Sequence, residues 1–237
     1  DIVRRAGLYS SMEEVNDPDI EAYSFTKERI LFSEGSEKEL EFDKSATAYN
    51  LPNGTDSFVF TPVVSGTYTF TADDSNARLS LYPAADKDDI KFSGKSVGSA
   101  YLQGGTIYLL EAGMSGENSG RYFVNATVGV WNSETKKENQ PIPAGGQLYK
   151  LAARERGGYQ ISSSNSNIRY RLYNSNMQYM YESESNLFSQ YLAPGQAYYL
   201  YVYSINNTAQ TATLSFSAVE EIKEGEEYDI SVNYPIM

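Results

Sequence analysis

The chain contains no cysteine and no histidine. Without cysteine it forms no disulfide and no thiolate metal site. Without histidine it lacks the commonest general base, metal ligand and pH switch, so every Ser-His or Cys-His mechanism is excluded. A secreted animal domain of this kind would often carry disulfides, whereas a bacterial extracellular one need not. Tryptophan occurs once, at Trp131. No apolar run approaches the ~20 residues that a membrane helix needs; the longest, Tyr198 to Tyr203, is strand-sized. No signal peptide is visible. The chain begins at Asp1 rather than Met, which predicts that a leader or other upstream sequence has been removed.

What is present points to β structure. The 237 residues are 41% hydrophobic and include 21 tyrosines, enough for one large or two small β domains. Tyrosine suits a half-buried pleated surface, with an apolar ring and a polar tip. The formal charge of −12 repels phosphate backbones and anionic membranes, so neither nucleic acid nor membrane insertion is expected.

Period-two alternation recurs along the chain. Phe58 and Phe60 alternate with polar neighbours, as do Tyr68 and Phe70, and Pro62 and Ser65-Gly66 between them predict a hairpin or tight corner. Upstream, Leu8, Met12 and Val15 lie at i, i+4 and i+7, with Ser10 and Glu13 as a capping box and Asn16-Asp17-Pro18 as a stop. This predicts a short helical extension over residues 1–22. Short strands are then expected around Tyr23 and Phe25, Ile30 and Phe32, and Leu40 and Phe42. Trp131 to Gly146, with Lys136-Lys137, two prolines and Gly145-Gly146, reads as a turn-rich connector.

Four blocks then repeat in the same order. Phe58/Phe60 answers to Tyr149/Leu151, and Ser65 to Phe70 to Arg156 to Ile161. Leu79 to Tyr82 answers to Tyr170 to Tyr173, and Leu102 to Leu110 to Leu192 to Leu200. The offset stays close to ninety residues across four ordered blocks, which marks a duplication. The expected organisation is a first β-sandwich over 23–130, a second over 131–219 that includes the connector, and a C-terminal strand or tail over 220–237. In the tail, Glu224-Gly225 precedes Tyr228, Ile230 and Val232.

These blocks resemble the bacterial pre-peptidase C-terminal domain in two tandem copies. The matching stretches are Phe58 to Phe60, Ser65 to Phe70, Leu79 to Tyr82, Leu102 to Leu110 and Tyr122 to Val128. In the second copy Arg154-Glu155-Arg156 replaces the small-residue turn, and Thr211 to Val219 lacks the family's Tyr-x-Leu. The resemblance implies an all-β fold of two tandem antiparallel jelly-roll-like sandwiches of about eight strands each. It also implies a non-catalytic appendage of a secreted bacterial protein, with relatives that bind collagen or polysaccharide, sometimes with calcium ordering a linker.

Three candidate sites follow. If Tyr198, Leu200 and Val202 face the core, Tyr199, Tyr201 and Tyr203 point outward on one strand, beside Arg169, Arg171 and Tyr173 on another. Rings stack on sugar faces or protein ridges, and arginine supplies fixed donors. The first copy is expected to carry Ile107, Leu109 and Glu111 at the tyrosine positions. The alternative is that these rings pack on the other domain, on the tail or on each other. Second, Asp73, Asp74 and Asn76 in one loop, and Asp86, Asp88 and Asp89 in another, offer oxygen ligands for calcium, although the spacing is not that of an EF-hand and solvated turns explain it as well. Third, a carboxylate-based hydrolase would need a paired acid and base, and no pair stands out. Trp131, at the start of the connector, is placed to fill the junction between the copies, with a ligand platform as the alternative.

The reading is a secreted bacterial, non-catalytic binding or accessory module that needs no cofactor, with calcium as an optional ion. It would recognise a polysaccharide or an extracellular protein surface through an aromatic face. A purely structural spacer or assembly domain is the alternative.

Overall fold

A computed structural model of the chain describes residues 38–50, 54–116 and 118–219. The expected N-terminal helix, the strands expected around Tyr23 to Phe32, and the 220–237 tail lie outside these residues. Among the described residues every regular element is a strand, and no helix is long and apolar enough to cross a membrane. The chain divides into two compact units between Gly129 and Val130.

The first unit contains β1 (Lys38–Glu39), β2 (Ser45–Asn50), β3 (Thr55–Phe60), β4 (Gly66–Ala72), β5 (Ala77–Pro83), β6 (Phe92–Lys95), β7 (Val97–Leu102), β8 (Tyr108–Met114) and β9 (Gly120–Val128). They form two sheets, ordered β1-β3-β8-β5-β6 and β2-β9-β4-β7. The second unit contains β10 (Val130–Asn132), β11 (Thr135–Ile142), β12 (Gln147–Ala152), β13 (Gly157–Ser163), β14 (Ile168–Tyr173), β15 (Tyr179–Glu182), β16 (Leu187–Leu192), β17 (Tyr198–Ser204) and β18 (Gln210–Ala218). Its sheets are ordered β10-β12-β17-β14-β15 and β11-β18-β13-β16. Adding nine to every strand number of the first unit reproduces the second, so the duplication read from four sequence blocks extends to the whole topology.

Each unit is a β-sandwich with an aromatic core. In the first, Phe60 from one sheet meets Tyr68 and Phe70 from the other edge-on, at 5.3 and 5.2 Å between ring centroids. In the second, Tyr149, Leu151, Tyr170, Leu172, Leu200 and Val202 pack against Ile161, Phe188, Leu214 and Phe216 of the facing sheet. The alternation recognised in the sequence is the alternation of these inward residues with outward polar ones.

Several expectations change, and one alternative left open is decided. Pairing is not wholly antiparallel: β1 runs parallel to β3 and β10 parallel to β12. The intervening strand, β2 or β11, lies in the opposite sheet and acts as the crossover that parallel neighbours require. Of the hairpin or tight corner expected over Phe58 to Phe70, the structure has the corner, because β3 and β4 belong to different sheets. The Tyr68 hydroxyl closes it by donating to the Val64 carbonyl at 2.7 Å. Tyr159 does the same to Glu155 at 2.8 Å, which keeps the corner although Arg154-Glu155-Arg156 lacks small residues. Finally, the connector expected over Trp131 to Gly146 is mostly strand. β10 pairs with β12, and β11 pairs with β18 at a sheet edge. Edge strands tolerate lysine and proline on their open side, so Lys136, Lys137 and Pro141 mask the alternation. Trp131, expected to fill the junction between the copies, is 1% exposed in the core of the second unit.

Candidate functional site

The outer face of the β12–β17–β14–β15 region carries the expected aromatic row, but only part of it is open. β17 places Tyr199, Tyr201 and Tyr203 outward by alternation, and register sets Tyr173, Arg171 and Arg169 opposite them on β14. Tyr199 is 1% exposed and Tyr173 is buried. Their cross-strand neighbours close over them: Lys150 lies opposite Tyr199 on β12, with its ammonium 5.9 Å from the ring centroid. The matching pair in the first unit, Tyr82 and Leu109, is buried too, so this end of the sheet is packed in both copies. Arg169 is also withdrawn. Its guanidinium donates to the Ser166 and Ile168 carbonyls at 2.7 and 2.8 Å. Arg78 braces the equivalent loop of the first unit through Ser75 and Ala77. Three of the six candidate residues are thus structural.

The remaining three are half-buried, and two of them, Arg171 and Tyr203, are joined by Glu182 of β15, which sequence reading missed. The rings of Tyr201 and Tyr203 stack at 5.4 Å with 12° between planes. The Arg171 guanidinium lies 4.9 Å from the Tyr203 ring centroid. Arg171 Nε lies 3.0 Å from Glu182 Oε1, and the Tyr203 hydroxyl donates to the same oxygen. Tyr201 turns the other way and donates to the Gly145 carbonyl at 2.6 Å. The hydrogen bond from Tyr203, reinforced by Arg171, lowers the Glu182 carboxyl below its ordinary range. Burial, the hydrogen bond to Glu182 and its charge push the Tyr203 phenol up to about 12. Register gives the first-unit counterparts of Tyr199, Tyr201 and Tyr203 as Leu109, Glu111 and Gly113, not the expected Ile107, Leu109 and Glu111. At the places of Arg171 and Glu182 the first unit has Ser80 and Ser93, whose hydroxyls bond each other at 2.7 Å. At these positions the cluster is particular to the second unit; the first unit builds a cation–aromatic–carboxylate group from other residues, with Lys87 5.3 Å from the Tyr82 ring centroid and Glu111 accepting from the Tyr82 hydroxyl.

A raised phenol contributes stability that is fully present below its ordinary value of 10.0 and lost as pH rises through about 12. Tyrosinate absorbance should therefore lose one tyrosine's share of its late rise in Tyr203→Phe, the rest coming from buried tyrosines such as Tyr149 and Tyr170. A loss confined to the region of the ordinary value of 10.0 would mean that Tyr203 is not held by Glu182.

The acidic loops are turns. Asp74 Oδ1 accepts from Asn76 N at 2.7 Å, and Asp73 Oδ1 accepts from Phe123 N at 2.7 Å. In the second unit Asn165 and Ser164 do the same jobs, accepting from Asn167 N and Thr213 N at 3.0 and 2.9 Å. Neutral side chains thus serve at both places, Asn165 in a local Asx turn and Ser164 as a tether to β18. Asp86 Oδ1 accepts from Asp88 N at 3.1 Å, and Asp89 pairs with Lys91 at 2.6 Å. No group of three or more acidic, Cys or His side chains among the described residues could hold a metal ion. Asp73→Ser and Asp74→Asn should each change unfolding free energy by under ~0.5 kcal/mol, the range of surface substitutions, with or without calcium. A calcium-dependent rise in melting temperature that either variant abolishes would restore the metal reading.

In the first unit, Lys38, Glu39, Ala46, Thr47, Tyr49 and Phe58 line an open cleft of about 270 Å3. Lys38 there pairs with buried Asp56 at 2.9 Å. Among the described residues, Glu39 is the carboxylate that lines the cleft.

No family model and no curated protein matches the chain. Among solved structures, it is similar to the periplasmic g-type lysozyme inhibitor PliG of Salmonella Typhimurium, at 18% identity and a TM-score of 0.30, over 39% of this chain and 98% of that one. It is similar to the CUB1-EGF-CUB2 domains of rat MASP-1 at 8% identity and a TM-score of 0.26, over 77% and 100%. It is also similar to the secreted serine protease VesC of Vibrio cholerae at 9% identity and a TM-score of 0.28, over 84% and 54%. At such TM-scores the likenesses carry no inference about function.

Proposed function

We propose that the chain is a non-catalytic binding module of a secreted bacterial protein, built from two tandem pre-peptidase C-terminal-like jelly rolls. The interleaved strand order of each unit, β2-β9-β4-β7 facing β3-β8-β5-β6 in the first, supports the jelly-roll reading, with β1 and β10 as added strands. The second unit bears the contact surface, and its partner is an extracellular polysaccharide or protein.

The observation that carries this is the half-exposed Arg171–Tyr203–Glu182 cluster. It places a guanidinium, an aromatic ring and a carboxylate in one fixed geometry where the first unit has two serines and a glycine. A prearranged set of donor, acceptor and ring loses little side-chain entropy on binding. Retention on insoluble glycans and on collagen, with calcium and with chelator, tests it. Arg171→Ala and Tyr203→Ala should each weaken retention about tenfold, as contact hot spots do. If neither the native chain nor the folded variants are retained on any matrix, the recognition reading fails. A spacer role, which the burial of Tyr199 and Tyr173 favours, then takes its place.

A further inference from the structure

In the first unit, Arg121 on β9 stands between two rings. Register sets it opposite Tyr49 on β2, and Phe123 follows two residues later on the same face. The guanidinium lies 5.7 Å from the Tyr49 ring centroid and 5.4 Å from that of Phe123. Among the described residues it makes no ion pair and no hydrogen bond. Other arginines are already used: Arg78 and Arg169 turn to loop carbonyls, and Arg171 pairs with Glu182. Lys38, 5.6 Å from the same Tyr49 ring, is answered by Asp56. Asp73 accepts from Phe123 N and makes no ion pair with Arg121. Arg121 is left with no carboxylate partner and with open donors.

The surrounding face differs in charge from the molecule as a whole. The chain carries 31 acidic residues against 19 basic ones. Register nevertheless gives the outward positions of the β2-β9-β4-β7 sheet as Ser, Thr, Asn, Tyr, Phe and Val besides Arg121, with no Asp, Glu or Lys at these described positions. The fold does not require the trio. In the second unit Pro141, Thr211 and Thr213 stand where the first has Tyr49, Arg121 and Phe123. The core does not require it either, since Arg121 is exposed and Phe123 is 39% exposed.

The arrangement selects a ligand class. Rings on either side restrict a guanidinium and leave its N–H groups for a planar acceptor, which a carboxylate matches with two parallel bonds. A partly open aromatic ring takes the C–H face of a sugar. Asn125 follows Phe123 by two residues on the same face, about 7 Å along the strand. Its Oδ1 accepts from Ser45 Oγ at 2.7 Å, which leaves its amide nitrogen for a hydroxyl. Cation, ring and amide at i, i+2 and i+4 thus match the carboxylate, C–H face and hydroxyls of an acidic oligosaccharide. An acidic peptide would use the cation and leave the ring idle. A densely sulfated chain needs several cations where this face has one. The net charge of −12 does not forbid such a ligand, because exposed charges are screened beyond about 8 Å at physiological ionic strength.

We propose that the outer face of the β2-β9-β4-β7 sheet, at Arg121, Phe123 and Asn125, binds the uronic acid residues of an extracellular polysaccharide. This rests on the binding-module reading, adds a contact on the first unit and does not involve the Arg171–Tyr203–Glu182 cluster. The test is titration of the full chain with oligomers of galacturonate, mannuronate and glucuronate, with their methyl esters and with triglutamate, at physiological ionic strength. Heteronuclear NMR of the Arg121 Nε–H and of the backbone amides reads the site. At least one uronate oligomer should shift the Arg121 and Phe123 signals saturably. Its dissociation constant should rise about tenfold or more on esterification, in Arg121→Gln and in Phe123→Ser, with melting temperatures unchanged. Lys95→Gln, which removes a cation from the other sheet, should leave it as it is. Signals that move with none of the three uronates, or equally with the esters, overturn the proposal, as does an equal loss in Lys95→Gln. Triglutamate bound as tightly as the uronates overturns the sugar assignment and makes the partner an acidic protein. Shifts confined to Arg171, Tyr203 and their neighbours leave the module reading standing and remove the site from the first unit. No shift in either region counts against both.

Discussion

Trp131→Ala should destabilise the second unit by about 3–5 kcal/mol, the range for removing a large buried aromatic. The indole is 1% exposed and meets Tyr149 and Phe216 edge-on, at 5.6 and 5.7 Å between centroids. Tyr149 comes from its own sheet and Phe216 from the facing one, so the ring ties the two layers together. Among the described residues its Nε1 has no hydrogen-bond partner, so the loss is one of packing. Trp131→Phe should accordingly cost far less, since it keeps a ring and removes an unpaired buried donor. Denaturant unfolding followed by far-ultraviolet circular dichroism measures both. A loss under ~1 kcal/mol for the alanine variant would fall below any cavity-forming core substitution and would remove Trp131 from the core.

Gly146→Ala should cost about 2–4 kcal/mol, summed from a left-handed alanine at ~1–2 kcal/mol and a displaced, hydrogen-bonded ring. Gly146 has φ +80°, and an added Cβ would lie 2.4 Å from Tyr201 Cε2. The ring cannot retreat without releasing the Gly145 carbonyl, which accepts its hydroxyl at 2.6 Å. Gly195 provides the control. It has φ +77° with nothing within 4 Å of an added Cβ, so Gly195→Ala carries the backbone cost alone. Urea unfolding of the two variants isolates the Tyr201 contribution as their difference. Equal losses would show that the ring yields freely.

The parts of the candidate site that were legible in sequence are those governed by alternation. Tyr199, Tyr201 and Tyr203 do share one outward row. What alternation leaves open is how much of an outward residue its neighbours cover. Tyr199 and Tyr173 sit opposite each other and are buried, while Tyr203 sits opposite Arg169, whose guanidinium turns back to its own loop. Glu182 was missed because its role depends on β15 lying beside β14, a pairing no local pattern specifies.

Sequence alone determined the strand-forming class, the exclusion of thiol and imidazole chemistry, and the existence of two copies. Each follows from residue counts, from period-two burial or from a nearly constant offset, none of which needs knowledge of distant contacts. The tertiary structure decided the rest. It made Phe58 to Phe70 a corner between sheets, turned the polar stretch after Trp131 into an edge strand, and put Trp131 in the second core. It also showed the acids of the Asp73–Asn76 loop to be turn residues. These outcomes depend on which strands become neighbours. Strand pairing is settled by side chains meeting across the sandwich, from positions far apart in the chain.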